Sequence, residues 1–134
     1  MKDKQLYKIL DNHKLWVDSE GEEGEKANLE GANLEGANLE GASLEEANLH
    51  FAVLKCVNLE CADLFSANLQ YTNLSGANLK GVDLRGANLK GAKFTTEIRE
   101  VRLLQFCEIT KDQLPWLALH PRFSEFYPTL KVSE

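Results

Sequence analysis

Apolar and polar positions recur every five residues along 27–96, fourteen times and without a gap. The first three units, Ala27-Asn28-Leu29-Glu30-Gly31, Ala32-Asn33-Leu34-Glu35-Gly36 and Ala37-Asn38-Leu39-Glu40-Gly41, are identical. Later units diverge while the phase holds. The central position is Leu thirteen times and Phe94 once, and the position two before it is Ala eleven times, varied only by Val57, Thr72 and Val82. A five-residue period fits neither regular element. Steps of about 100° scatter the leucines around a helix, and an odd period puts successive leucines on opposite faces of a strand. The chain therefore turns once per unit. Alternation within each unit points Ala and Leu inward and the residue between them outward, leaving the last two residues to form a corner. Gly is the second corner residue in seven units (Gly31, Gly36, Gly41, Gly76, Gly81, Gly86 and Gly91). It suits a type II turn, whose third residue needs a positive φ. Corners ending at Glu46, Phe51, Cys56, Cys61, Ser66 and Tyr71 are expected to use another turn type.

The flanks follow different rules. From Asp3 to Val17, Leu6, Ile9, Leu10, Trp16 and Val17 line one helical face, which predicts a short amphipathic helix lying over the first coil. An acidic connector, 18–26, leads into the repeats. After residue 96 the period stops, and Ile98, Val101, Leu103, Leu104, Phe106, Trp116, Leu117, Leu119, Phe123, Phe126 and Tyr127 supply apolar surface for a C-terminal cap. Thr110 and Gln113 have capping-box spacing for a turn or two of helix, limited by Pro115 and Pro121 and followed by an irregular tail. Both caps share the core of the repeats. The chain reads as one domain: N-terminal cap and connector 1–26, repeats 27–96, C-terminal cap 97–134.

Periodicity alone leaves open how many corners close a coil. The phase Ala-(Asp/Asn)-Leu-x-x resembles the pentapeptide-repeat family over 70 of the 134 residues. That resemblance implies an all-β solenoid, a right-handed quadrilateral β-helix with four units per coil. Residues 20 apart then stack, and fourteen units make about 3.5 coils, roughly 17 Å tall at about 4.8 Å between strands. On this geometry Phe51 lies beneath Tyr71, and Phe51, Val53 and Phe65 take outward slots. With His50 and Tyr71 they form an apolar patch that is either a partner site or the seat of a cap.

Charge changes along the chain. Residues 1–66 hold 6 Lys or Arg against 14 Asp or Glu, and 67–134 hold 9 against 7, giving −8 and +2 and a total of −6. The first coil carries a candidate acidic face, Glu30, Glu35, Glu40 and Glu45, while later corners carry Lys80, Arg85 and Lys90. No basic patch is large enough to neutralise several phosphates, which argues against direct nucleic-acid binding. Cys56, Cys61 and Cys107 are odd in number, and the first two point away from each other on neighbouring corners, so they read as reduced thiols. Two cysteines and His50 on three corners do not converge on a metal. Asp63 and Asp83 stack as a carboxylate pair with Arg85 beside them and no pocket around them. His13 and His120 read as packed cap residues. No nucleophile elbow, phosphate loop or metal-ligand spacing occurs.

The expectation is a non-catalytic protein-interaction or scaffold module without cofactors, a monomer or weak dimer whose protein partner the residues do not name. The absence of an apolar run in Met1 to Leu10 and of a spanning segment elsewhere argues against a membrane and predicts a cytoplasmic location. The resemblance implies one alternative, an acidic β-helix that imitates duplex DNA and modulates DNA gyrase or topoisomerase IV.

The phase assignment is directly testable. Leu59→Asp is expected to unfold the domain, because a buried unpaired carboxylate costs several kcal/mol against a total of about 5–15. Glu60→Lys, one residue later and outward, is expected to change little. Equal melting temperatures by circular dichroism contradict the phase.

Overall fold

The computed structural model describes residues 1–94, 108–110 and 131–133. Helix α1, Asp3–Asp18, opens the chain. Leu6 is buried and Ile9 and Leu10 pack against the repeat core, so the apolar stripe faces the first coil. Asp3 sits in the first turn, where a carboxylate meets the positive end of the helix dipole. At the other end Glu20 N–H bonds to Val17 C=O at 3.1 Å and Gly21 N–H to Trp16 C=O at 2.8 Å, the Schellman pattern that satisfies terminal carbonyls. The connector then returns along the helix. Gly24 lies so close that a Cβ there would sit 2.2 Å from the Asn12 carbonyl oxygen.

The repeats wind into stacked coils. Ten parallel bridges pair residues twenty apart, from Asn28 with Asn48 to Asn73 with Lys93. Four successive units therefore form four faces before the chain passes above its starting point. The first face carries Asn28, Asn48, Asn68 and Asn88; the second Asn33, Val53, Asn73 and Lys93; the third Asn38, Asn58 and Asn78; the fourth Ser43, Asp63 and Asp83. Backbone bonds tie coil to coil: Leu29 N–H to Asn48 C=O at 2.7 Å, Gly31 N–H to His50 C=O at 2.8 Å, and Asn48 N–H to Ala27 C=O at 3.0 Å. The central residue of each unit is buried throughout, Leu59 completely. Thr72 is the polar intruder among the small inward residues. Its hydroxyl donates to the Leu69 and Leu49 carbonyls at 2.7 and 3.1 Å, which removes the cost of burying it.

The preference for Asn in the outward slot has a local cause. Asn28 Oδ1 accepts from the N–H of Glu30 at 3.2 Å, fixing the first corner residue as Asx-type turns do. Its amide partner above, Asn48 Nδ2, donates to the same Oδ1 at 3.2 Å. One side chain thus braces its own corner and the next coil.

The corners correct one expectation. Each closes with a bond from the next unit's N–H to the Leu carbonyl, such as Ala32 to Leu29 at 3.1 Å and Ala52 to Leu49 at 3.0 Å. The second corner residue has positive φ everywhere: 64° to 72° at the glycines of the repeats, and 55° to 58° at Glu46, Phe51, Cys56, Cys61, Ser66 and Tyr71. No separate turn type appears. Stacking on the coil below imposes one corner geometry, and the six L-residues accept a left-handed conformation costing about 1 kcal/mol or more each. Their side chains rise over the corner above. A Cβ on Gly76 would lie 3.1 Å from Cys56 Sγ, and one on Gly91 would lie 2.4 Å from Tyr71 Cδ1.

Beyond the repeats, β1 (Glu108–Thr110) pairs in parallel with β2 (Lys131–Ser133). A strand rather than irregular chain occupies 131–133, while the helix expected to start at Thr110 lies outside the described residues. Pairing between distant segments makes the strand at 131–133, which the local pattern does not announce. The remainder of the expected C-terminal cap, including Cys107, Gln113 and His120, lies outside the described residues. Among the described residues no helix is long and apolar enough to cross a membrane.

Gly36 and Gly91 separate two costs. Both have φ of 70°, but nothing lies within 4 Å of a Cβ at Gly36. Gly36→Ala is expected to cost about 1 kcal/mol for the left-handed backbone alone. Gly91→Ala adds the displacement of Tyr71, and its melting temperature is expected to fall further. In a Tyr71→Gly background the two costs converge, which a thermal double-mutant cycle measures.

Candidate functional site

The corner between the first and second faces carries the largest exposed rings of the repeats. Phe51 and Tyr71 keep 56% and 47% of their surface in solvent although each sits on a rigid, hydrogen-bonded turn. Their rings stack with centroids 5.3 Å apart and planes 20° from parallel. The His50 ring joins them, 4.2 Å from Phe51 and 6.0 Å from Tyr71. Its Nδ1 lies 3.7 Å from a Glu30 carboxylate oxygen on the coil below. Phe65 is 41% exposed at the opposite edge of the first face, with the Arg85 guanidinium 5.7 Å above its ring. Val53 is half-buried around the corner, on the second face. Of the five expected patch residues, the structure gathers His50, Phe51 and Tyr71 into one cluster and sets Phe65 and Val53 apart from it.

The four glutamates of the first coil do not share a face. Spaced by five, they occupy four successive corners and encircle the coil. Glu30 and Glu40 accept from the amides of Asn48 and Asn58 at 3.1 and 3.4 Å, linking coil to coil. Glu35 has Val53, not an amide, eighteen residues on, where Glu30 and Glu40 have Asn48 and Asn58. Glu45 leans toward Asp63. Burial first, then hydrogen bonding and charge from Asp63, with Glu46 and Asp83 adding to it, push its pKa above the ordinary carboxylate value.

Asp63 and Asp83 stack as expected, but their partners differ. Asp83 is held by Arg85, with Nε 3.0 Å from both carboxylate oxygens and an outer nitrogen 2.6 Å from one of them, whereas Asp63 accepts from the Phe65 N–H at 2.9 Å. A guanidinium clamped on one carboxylate makes an ion pair, not an acid and base poised over a substrate. Among the described residues no three His, Cys, Asp or Glu side chains converge to hold a metal ion. Cys56 and Cys61 are exposed thiols, each rising toward the glycine one coil above.

His13 is the functional-looking residue whose role the pattern of the sequence does not reveal. It is fully buried between α1 and the first coil, and its Nδ1 accepts from the Ala27 N–H at 2.9 Å, joining helix to repeats. Its ring stacks on Trp16 at 5.6 Å, Lys26 lies 5.4 Å over the Trp16 ring, and Lys26 pairs with Glu46 at 3.3 Å. Nε2 is buried and faces the Glu45 backbone without closing a hydrogen bond. Burial is the main cause that lowers the His13 pKa below 6.5; Lys26 adds to it, while Glu45 and Glu46 oppose it.

Comparison with known proteins identifies the pattern. The family model described as pentapeptide repeats matches with eight copies, over residues 25–60 and 58–95. Among solved structures, a pentapeptide repeat protein from the Arabidopsis thaliana thylakoid lumen is 21% identical, over 69% of this chain and 76% of its own, with a TM-score of 0.46. HetL, a pentapeptide repeat protein involved in heterocyst differentiation regulation in the cyanobacterium Nostoc, is 24% identical over 64% of this chain and 52% of its own, with a TM-score of 0.36. QnrB1, a plasmid-mediated fluoroquinolone resistance protein, is 20% identical over 68% and 61%, with a TM-score of 0.30. No curated protein matches the chain.

The His13 contact predicts a pH dependence of definite sign. A histidine whose folded pKa is lowered leaves the unfolded chain binding more protons, so its contribution is complete above about pH 6.5 and declines as pH falls toward the folded value. Glu45, with a raised pKa, acts in the opposite sense near its own lower range. Unfolding stability between pH 7.5 and 5.5 is expected to fall by up to about 1.4 kcal/mol per unit. His13→Asn is expected to be less stable at pH 7.5 and to lack that slope. A parallel pH profile in the variant contradicts the assignment.

Proposed function

Because the chain belongs to the pentapeptide-repeat family, whose model spans residues 25–95, we propose that it is a non-catalytic protein-interaction or scaffold module. In this reading a right-handed quadrilateral β-helix of about 3.5 coils, with an N-terminal α-helical cap and a C-terminal cap, presents a fixed grid of side chains to a protein partner. One observation carries the reading: the Phe51–Tyr71 stack is exposed at backbone positions where φ is 58° and 56°. Glycine fits such positions at lower cost, and exposed rings gain nothing from water. Large rings held in a left-handed backbone point to a use for the rings themselves, and aromatic anchors on a rigid support lose little entropy on binding.

The duplex-mimic alternative has weaker support. The acidic corners encircle a single coil, and Lys80, Arg85 and Lys90 reverse the sign above them. At about 17 Å the stack matches roughly five base pairs at 3.4 Å each.

Photo-crosslinking tests the interaction reading. A benzoylphenylalanine placed at residue 51 is expected to form a discrete protein adduct in cells, and the same group at residue 40, on the corner between the third and fourth faces, is expected to form none. Absence of any adduct from residue 51, or equal labelling from both positions, contradicts it.

A further inference from the structure

The first face has a pattern that survives being turned upside down. Its corner with the second face reads, from the first coil upward, Glu30, His50 with Phe51, Gln70 with Tyr71, and Lys90. Its corner with the fourth face reads, from the bottom, Glu25 with Lys26, Glu45 with Glu46, Phe65 with Ser66, and Arg85, the lowest step tied to the next by the Lys26–Glu46 pair at 3.3 Å. Between the corners runs the column Asn28, Asn48, Asn68, Asn88. We propose that this face binds a second copy of the chain, with the two repeat stacks antiparallel about a two-fold axis that lies in the contact plane and crosses the face between Asn48 and Asn68. The proposal rests on the interaction reading above and names its partner.

A two-fold axis in the contact plane, perpendicular to the stack, keeps left and right and inverts height. Glu30 then faces Lys90 of the second copy, and Lys90 faces its Glu30. Phe51 meets the other Tyr71, and Tyr71 the other Phe51. At the opposite corner the Glu45–Glu46 step comes level with Phe65 and Ser66 of the second copy, and the Glu25–Lys26 step with its Arg85. Asparagine columns face each other between the corners, each amide offering both a donor and an acceptor.

The other faces fail this test. On the fourth, the inversion sets Ser43 against Asp83 and Asp63 against Asp63, carboxylate on carboxylate. The second shares the ring corner, but its column sets Val53 against Asn73 and Lys93 against Asn33, without the matched amides of the first. The third has no ring on either edge, only Cys56 and Cys61 beside Lys55 and Glu60. Among the described residues, charge complementarity and exposed rings coincide at the corner of the first and second faces, and the matched amides favour the first.

The area sets the strength. A stack about 17 Å tall and roughly 20 Å wide offers about 350 Å² per copy, below the roughly 800 Å² of a standard interface. Association is therefore weak, and the opposed charges make it sensitive to salt.

Sedimentation equilibrium from about 20 μM to 1 mM at low salt, the range in which an interface of that size assembles, tests the proposal. The full chain is expected to rise from monomer toward dimer mass with concentration and to fall back in high salt. Lys90→Glu and Glu30→Lys each place like charges at both ends of the contact and are expected to be monomers. The double variant Glu30→Lys/Lys90→Glu restores both pairs and dimerises. An equimolar mixture of the two single variants forms a heterodimer, since each then offers only one sign. Phe51→Ser is expected to be monomeric, with far-ultraviolet circular dichroism unchanged. A chain that stays monomeric to 1 mM overturns the proposal, and a dimer indifferent to both charge reversals overturns this face and orientation. If the chain is monomeric while residue 51 crosslinks to a different protein, the interaction reading stands and the second copy is excluded as its partner.

Discussion

The left-handed corner at every fifth residue is the constraint on which the rest of the structure depends. It bends the chain after three extended residues, too short a run for an ordinary strand, and four such bends bring each residue above the one twenty earlier. Only then do most backbone donors and acceptors find backbone partners, because within one coil the backbone bonds to itself only across the turn. The leucine core is a consequence of that register as much as its cause. Each leucine is sealed from four sides and from above and below only if every corner closes the same way.

Uniform corners bring a local cost that the structure distributes unevenly. Six consecutive corners, Glu46 to Tyr71, hold L-residues in a conformation glycine adopts freely. Most lie beneath a glycine, which gives the rising side chain room: Cys56 under Gly76, Cys61 under Gly81, Ser66 under Gly86 and Tyr71 under Gly91. Where two side chains occupy one corner column they must pack on each other. Phe51 and Tyr71 do so as stacked rings, so the same stacking that makes the corner possible also leaves two aromatic rings in solvent.

Much of this was legible in the residues. The inward slots, the outward asparagine and the Phe51–Tyr71 stack follow from phase together with a stacking distance of twenty. Leu6, Ile9 and Leu10 announced α1 by their spacing. What the sequence hid depended on contacts between segments. Phe51 and Cys56 gave no sign of a positive φ, because local preference disfavours it and only the neighbouring coil imposes it. His13 looked like one more member of an apolar stripe, and its bond to Ala27 joins residues whose proximity no periodicity predicts. The strand at 131–133 exists through pairing with a segment more than twenty residues earlier, and no local alternation announces it. In the first coil the glutamates looked like one acidic face, whereas a step of five places them on four corners.

A register of twenty has a consequence for how such a chain can change in length. Insertion or loss of one unit leaves every coil closed and every leucine buried, yet it rotates all that follows by a quarter turn. Lys90 would leave the column of Glu30 and appear above a different corner, and the rings of Phe51 and Tyr71 would part if the change fell between them. Four units at once restore every column while adding about 4.8 Å of height. The fold therefore tolerates variation in steps of five, but the surface it presents is preserved only in steps of twenty, like the faces of a combination lock.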